Sequence, residues 1–284
     1  MNRLVVGGGE VEYADVPARP GREAGPTLVF LHEGLGSARL WRSFPEAVAA
    51  STGLRTVTWS RHGYGSSDVL ERQRTVNYMH DEALRVLPEL LSDLDVGSSV
   101  LIGHSDGASI ALIHAGGPAT TAHPVLGVVA LAPHVFVEDR SVESIEAARN
   151  RYLAGDLRAR LDRHHADTDA AFWGWNDIWL SPEFRSWSIE EYLTGISCPV
   201  LLVQCQDDTY GSLEQLDRIE RGVRGPSTRL VFPVGGHSPH LSHSAEVAGA
   251  VADFVAGPPP GLAAQTAQTT RLPRRKGGPT RYHE

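Results

Sequence analysis

Two cysteines in 284 residues are too few for a disulfide framework, and Cys198 and Cys205 lack the spacing of zinc ligands. Free thiols in a reducing compartment are the expectation. The N-terminal stretch Met-Asn-Arg-Leu-Val-Val-Gly-Gly-Gly lacks the apolar segment of a secretory signal, and no apolar run approaches membrane-spanning length. That reads as a cytoplasmic protein with no membrane partner. A basic surface is missing too: 26 Lys+Arg stand against 34 Asp+Glu, for a formal charge of -8, with the signs interspersed. Such a balance argues against nucleic acid, and no long acidic block argues for a solvating tail. Lys276 is the sole lysine, which we read as codon bias. Small-molecule chemistry is left as the natural default, and the length suits one large α/β unit carrying an insertion.

Short β-branched runs alternate with helix-period segments, the pattern of a parallel sheet covered on both faces. Strands are predicted at Thr27–His32, Arg55–Ser60, Ser98–Gly103, Val125–Ala132, Pro199–Gln204 and Thr228–Phe232, and helices at Trp41–Ser51, Asn77–Asp93, Ala108–Ala115, Leu213–Gly222 and Ala245–Ala256. Leu4 to Val16, with its triple glycine, suits an antiparallel hairpin at the sheet edge; no G-x-G-x-x-G follows, so a phosphate loop is the poorer reading. The fold class is therefore a three-layer α/β/α sandwich on a mostly parallel sheet of about eight strands.

The alternation stops after Pro133 and resumes at Pro199. Residues 133–198 form a candidate helical cap between two parts of the core, 1–132 and 199–256. In a chain only 7% aromatic, this segment gathers Phe172, Trp173, Trp175, Trp179, Phe184, Trp187 and Tyr192. Rings so placed can either glue a small helical layer together or line an apolar pocket. Trp173, Trp175 and Trp179 are the candidates for contact with a substrate. Residues 257–284 run through Pro-Pro-Pro-Gly and a basic Arg-Leu-Pro-Arg-Arg-Lys stretch that cannot build a core, and a disordered tail is expected there.

Chemistry enters at residues 101–107, Leu-Ile-Gly-His-Ser-Asp-Gly, where an apolar run breaks and Ser105 stands between Gly103 and Gly107 in the pattern G-x-S-x-G. A residue at the apex of a sharp strand-to-helix turn is held in a strained conformation, and the flanking positions must be small. Chance alone yields the pattern roughly 0.2 times in a shuffled chain of this composition, so its context decides. Three other stretches supply that context: His32-Glu33-Gly34-Leu35-Gly36-Ser37 after one predicted strand, Pro199 to Gly211 with the pair Asp207 and Asp208, and Val234-Gly-Gly-His-Ser-Pro-His240 after the last strand. A fourth, Ser60-Arg61-His62-Gly63-Tyr64-Gly65-Ser66-Ser67-Asp68, reads mostly as a structural turn.

Together these stretches resemble the α/β-hydrolase superfamily, in its serine-nucleophile, cap-bearing, esterase-like branch, over roughly residues 1–256. The resemblance implies Ser105 as nucleophile, His237 as general base and Asp208 as the acid that orients it, with Asp207 the alternative beside it. It implies an oxyanion hole from the backbone N–H groups of Gly34 and Asp106, the first donor passing to Glu33 or Leu35 if the register shifts. Asp106 invites comparison with the superfamily's aspartate nucleophiles, yet centring the motif there would put His104 and Ala108 where glycines belong; its carboxylate is expected to cap the following helix. His240 and His243 are expected to be structural, although His240 could reach the pocket, and His164 and His165 lack the partner ligands of a metal site. No cofactor and no metal are implied. Glu33 departs from the family's usual glycine, and Arg39, Arg42, Arg61 and His62 are its conceivable partners; it either ties two loops together or meets the substrate.

The function expected on this reading is hydrolysis of a carboxylic ester of a small or medium, apolar or aromatic substrate through an acyl-enzyme. Thioester, lactone or carbon–carbon bond hydrolysis would use the same groups. A ligand-binding receptor on the same fold with little turnover is the alternative from another class.

Overall fold

The computed structural model describes residues 1–70, 74–118 and 122–257; of the tail expected at 257–284, residues 258–284 lie outside the described residues. Eight strands form one sheet: β1 (Asn2–Val6), β2 (Gly9–Val16), β3 (Thr27–Leu31), β4 (Thr56–Trp59), β5 (Ser99–His104), β6 (Val125–Leu131), β7 (Val200–Cys205) and β8 (Ser227–Phe232). Their order is β1-β2-β4-β3-β5-β6-β7-β8. The hairpin β1–β2 is antiparallel and joins β4 antiparallel, and every pairing from β4 to β8 is parallel. The six predicted central strands each match an observed one to within a residue or so at either end, because uninterrupted apolar runs mark strands buried on both faces.

Helices cover both faces. They are α1 (Phe44–Thr52), α2 (Tyr78–Asp81) running through a π-helical turn into α3 (Leu87–Asp93), α4 (Asp106–Gly116), α5 (Asp139–Leu153), α6 (Asp156–Leu161), α7 (Thr168–Trp179), α8 (Glu190–Leu193), α9 (Glu214–Gly222), α10 (Pro239–Ser242) and α11 (Ser244–Ala256). Alternation along the strands divides the core in two. Leu28, Phe30, Val100, Ile102, Leu201 and Val203 pack with Phe44 and Val48 of α1 and with Val247 and Val251 of α11. Val29, Leu31, Leu101 and Leu202 turn the other way, toward α2, α3 and α4. Each fully buried Leu, Ile or Phe contributes about 2 kcal/mol by leaving water, so this double layer fixes the strand register on which the site depends.

Between β6 and β7 the chain leaves the sheet and forms α5 to α8. Its neck is drawn together by a bridge pairing Phe136 with Ser188 and by the Ile189 N–H donating to the Val135 carbonyl at 2.9 Å. Rings hold the segment: Tyr152 stacks on Phe172 at 3.7 Å, and Trp179, Phe184 and Trp187 sit with centroids 4.9 to 6.1 Å apart. His165, buried in this segment, accepts the Gly65 N–H at Nδ1 and donates from Nε2 to the Leu35 carbonyl, each at 3.0 Å. One imidazole thus joins the inserted segment to two loops at the sheet's C-terminal edge.

Candidate active site

β5 ends at His104 and α4 begins at Asp106, leaving a single residue to reverse the chain. That residue, Ser105, adopts φ 53° and ψ -117°, a left-handed conformation that an L-residue holds only under constraint. The constraint is visible. A methyl group on Gly103 would stand 2.2 Å from the Gly107 carbonyl oxygen, and one on Gly107 would stand 1.9 Å from the Leu31 carbonyl oxygen. Both glycines are therefore required where helix and strand touch, and the Ser105 N–H is held by the Leu131 carbonyl at 2.9 Å.

The Ser105 hydroxyl lies 2.9 Å from His237 Nε2. On the other side of the ring, His237 Nδ1 lies 2.9 and 3.0 Å from the two oxygens of Asp208. Asp208 is 1% exposed and also accepts the Tyr210 N–H at 2.8 Å and a Gln204 amide proton at 3.2 Å. Burial by itself would raise the Asp208 carboxyl, but the His237 ring and these hydrogen bonds outweigh it and leave the pKa below the ordinary value. Asp207, its exposed neighbour, turns away and accepts the N–H groups of Gly235 and Gly236 at 3.2 and 2.9 Å, in the loop carrying His237.

Gly34 and Asp106 line the same cavity as Ser105 and His237, together with Glu33, Trp175, Trp179, His134 and Tyr210; its volume is about 230 Å³. The expected helix cap at Asp106 is not made. Its carboxylate reaches sideways instead, accepting the Tyr78 hydroxyl at 2.5 Å and lying 4.0 Å from the Arg61 guanidinium, because the first residue of α4 is buried among α2 and the loop after β4. Tyr78 in turn accepts the Trp179 indole N–H at 3.1 Å, so a chain of hydrogen bonds runs from α7 to the start of α4.

Glu33 meets none of the four side chains expected of it. Its carboxylate accepts the Leu35 N–H at 2.7 Å, closing its own turn, while Arg61 donates to the Glu33 main-chain carbonyl at 3.0 Å. Arg39 and Arg42 point to solvent. Burial raises the Glu33 pKa, against the opposing pull of the Leu35 N–H and His237. Trp173 does not line the cavity; it packs edge-on against Tyr152 and Phe172 with Arg149 over its ring. Trp175 and Trp179 do line it.

Three residues at the site were not singled out from sequence. His104 donates from Nε2 to the His237 carbonyl at 2.7 Å, Tyr210 lies with its ring 4.6 Å from that of His237, and His134 packs edge-on against Trp179. His104 occupies the variable position before the serine, and Tyr210 follows the acid by two; their proximity to chemistry-bearing residues was the available signal. His240 is buried against Trp41, Phe44 and His104, and His243 donates to the Val234 carbonyl at 2.7 Å. Among the described residues no group of three or more His, Cys, Asp or Glu is placed to hold a metal ion.

A family model described as the alpha/beta hydrolase family matches residues 28–250. The chain belongs to the alpha/beta hydrolase family. Solved alpha/beta hydrolases of similar architecture include an esterase from Exiguobacterium antarcticum, 16% identical over 90% of this chain and 99% of that one, with a TM-score of 0.67. The enol-lactonase of Burkholderia xenovorans LB400 is 17% identical over 90% and 100%, with a TM-score of 0.69. The proline iminopeptidase of Mycobacterium smegmatis is 18% identical over 90% and 97%, with a TM-score of 0.64. At such identities the likeness to these hydrolases is one of fold. No curated protein matches the chain in sequence. Among the described residues no helix is long and apolar enough to cross a membrane.

Proposed function

We propose that this hydrolase cleaves carboxylic esters of compact substrates by a serine mechanism. The observation carrying the reading is the unbroken hydrogen-bond path from Ser105 through His237 to Asp208, opening onto a cavity. In the proposed reaction His237 Nε2 takes the hydroxyl proton as Ser105 Oγ bonds to the acyl carbon, and the Asp208 carboxylate holds the ring and balances the imidazolium. The N–H groups of Gly34 and Asp106 receive the oxygen that becomes negative. His237 then returns the proton to the leaving alcohol, and water releases the acyl group by the reverse path. The cavity is smaller than the roughly 300–1,000 Å³ of sites for drug-sized ligands, which favours short acyl chains. Trp175, Trp179 and Tyr210 supply apolar walls, while the Glu33 carboxyl disfavours anionic acyl groups.

The test is turnover of a nitrophenyl ester series by wild type and Ser105→Ala. We expect multiple turnovers, fastest on acetyl to butyryl chains, and loss of turnover in the variant with the fold retained. Wild-type rates in Ser105→Ala, or a single slow burst from the wild type, would exclude the proposal.

A further inference from the structure

Trp175 packs against the loop that carries Gly34 as well as lining the cavity. A methyl group placed on Gly34 would lie 2.1 Å from Trp175 Nε1 and 2.4 Å from Cδ1, so the nitrogen-bearing end of the indole lies directly against the loop that carries Gly34. The residue is only 6% exposed. An indole N–H is a donor and nothing else, and a buried one usually finds an acceptor. Trp179, one helical turn further along α7, does so by donating to Tyr78, while the indole N–H groups of Trp41 and Trp187 are buried without an acceptor among the described residues. Among the described residues nothing accepts from Trp175 Nε1, and its side chain lines the cavity containing Ser105, Gly34 and Asp106.

We infer that the Trp175 indole N–H is a third donor to the oxygen of the substrate's reacting carbonyl, supplied by the inserted helical segment to a hole otherwise built from backbone. The inference rests on the serine mechanism proposed above. When Ser105 Oγ forms its bond to the acyl carbon, the carbonyl π pair moves onto oxygen and the hydroxyl proton passes to His237; the new negative charge is then met by Gly34, Asp106 and Trp175. A donor whose acceptor gains charge only in the transition state costs little in the resting enzyme and lowers the barrier where it counts. The packing favours such a fixed donor. Phe172 lies edge-on to the indole at 6.1 Å, and Asn176, the next residue, is wholly buried with its amide on the Ile145 carbonyl at 3.2 Å. Gly34 is thereby also explained, since any side chain there would expel the indole from the loop.

The experiment compares wild type, Trp175→Phe and Ser105→Ala on nitrophenyl butyrate, together with binding of a trifluoromethyl ketone, which forms an oxyanion on the serine, and of the matching amide, which does not. For Trp175→Phe we expect kcat to fall about tenfold or more with KM nearly unchanged, a parallel loss of ketone affinity and no loss of amide affinity. A kcat within twofold of wild type overturns the inference, as does an equal loss of ketone and amide affinity, which marks a packing role. Turnover surviving in Ser105→Ala overturns the serine mechanism itself and the inference with it. Should phenylalanine cost the fold, the benzothienyl analogue of tryptophan, with sulfur for N–H, gives the same comparison in an isosteric ring.

Discussion

Asp207 accepts the Gly236 N–H at 2.9 Å while its neighbour Asp208 accepts His237 Nδ1 at the same distance. Two adjacent carboxylates thus fasten consecutive residues of one loop, one by its backbone and the other by its side chain. Gly236 has a φ of 69°, a conformation that glycine enters without steric cost.

The two carboxylates should separate under mutation. Asp208→Asn removes the charge facing the proposed base and should lower kcat roughly ten-thousand-fold. Asp207→Ala leaves that charge and loosens the loop, so a loss nearer tenfold is expected. Steady-state kinetics on one ester decides the matter; equal losses would contradict this division of labour.

Ser105→Gly should be a more stable protein than Ser105→Ala by about 1 kcal/mol, although both should be inactive. A left-handed φ costs an L-residue about 1–3 kcal/mol, and glycine returns part of that gain as unfolded-state entropy. Urea melts of the two variants measure the difference directly. Alanine at least as stable as glycine would mean the turn stores no strain.

Glu33→Gln keeps an acceptor for the Leu35 N–H and removes the carboxylate from the cavity. Turnover of a neutral ester should change by no more than a few-fold, while that of an anionic half-ester should rise about tenfold relative to it, as expected when a like charge leaves a poorly solvated site. An unchanged order of preference among neutral, anionic and cationic esters would confine Glu33 to holding its turn.

Acid should unfold the protein through its buried histidines. Burial, with His237 nearby, lowers His240 from 6.5 to about 3, and burial lowers His165 from 6.5 to about 4. A histidine lowered in the folded state is protonated first in the unfolded chain. Its contribution is therefore complete above pH 6.5 and is lost as pH falls toward the folded value, at up to about 1.4 kcal/mol per pH unit for each residue. Asp208, lowered as well, adds to the loss below the ordinary aspartate range. Thermal melts from pH 7 to pH 4 should show the decline, and His240→Phe, which keeps a ring against Trp41 and Phe44, should flatten it.

The fold was legible where burial leaves an unambiguous mark. Strands β3 to β8 are short apolar runs bounded by turns, and Gly103 and Gly107 announced the close approach that the structure places at Leu31. That Ser105, His237 and Asp208 would meet was legible through motif and order. Contacts between side chains distant in sequence were not. Nothing in the residue types says that Asp106 would take Tyr78 rather than cap its helix, or that Glu33 would find a backbone N–H before an arginine. Trp173 and Trp175 read alike in sequence, yet a two-residue step on a helix turns one to Tyr152 and the other to Gly34.

Ser105 and His237 are 132 residues apart in the chain, and the proposed base arrives on a loop that follows the last strand of the sheet. Synthesis therefore delivers the proposed nucleophile long before its base. A nascent or truncated chain would carry a serine at its turn with nothing to take the proton. On the proposed mechanism, reactivity would be conferred only when β8 adds to the finished sheet, and completion of the fold itself would be the step that arms the serine.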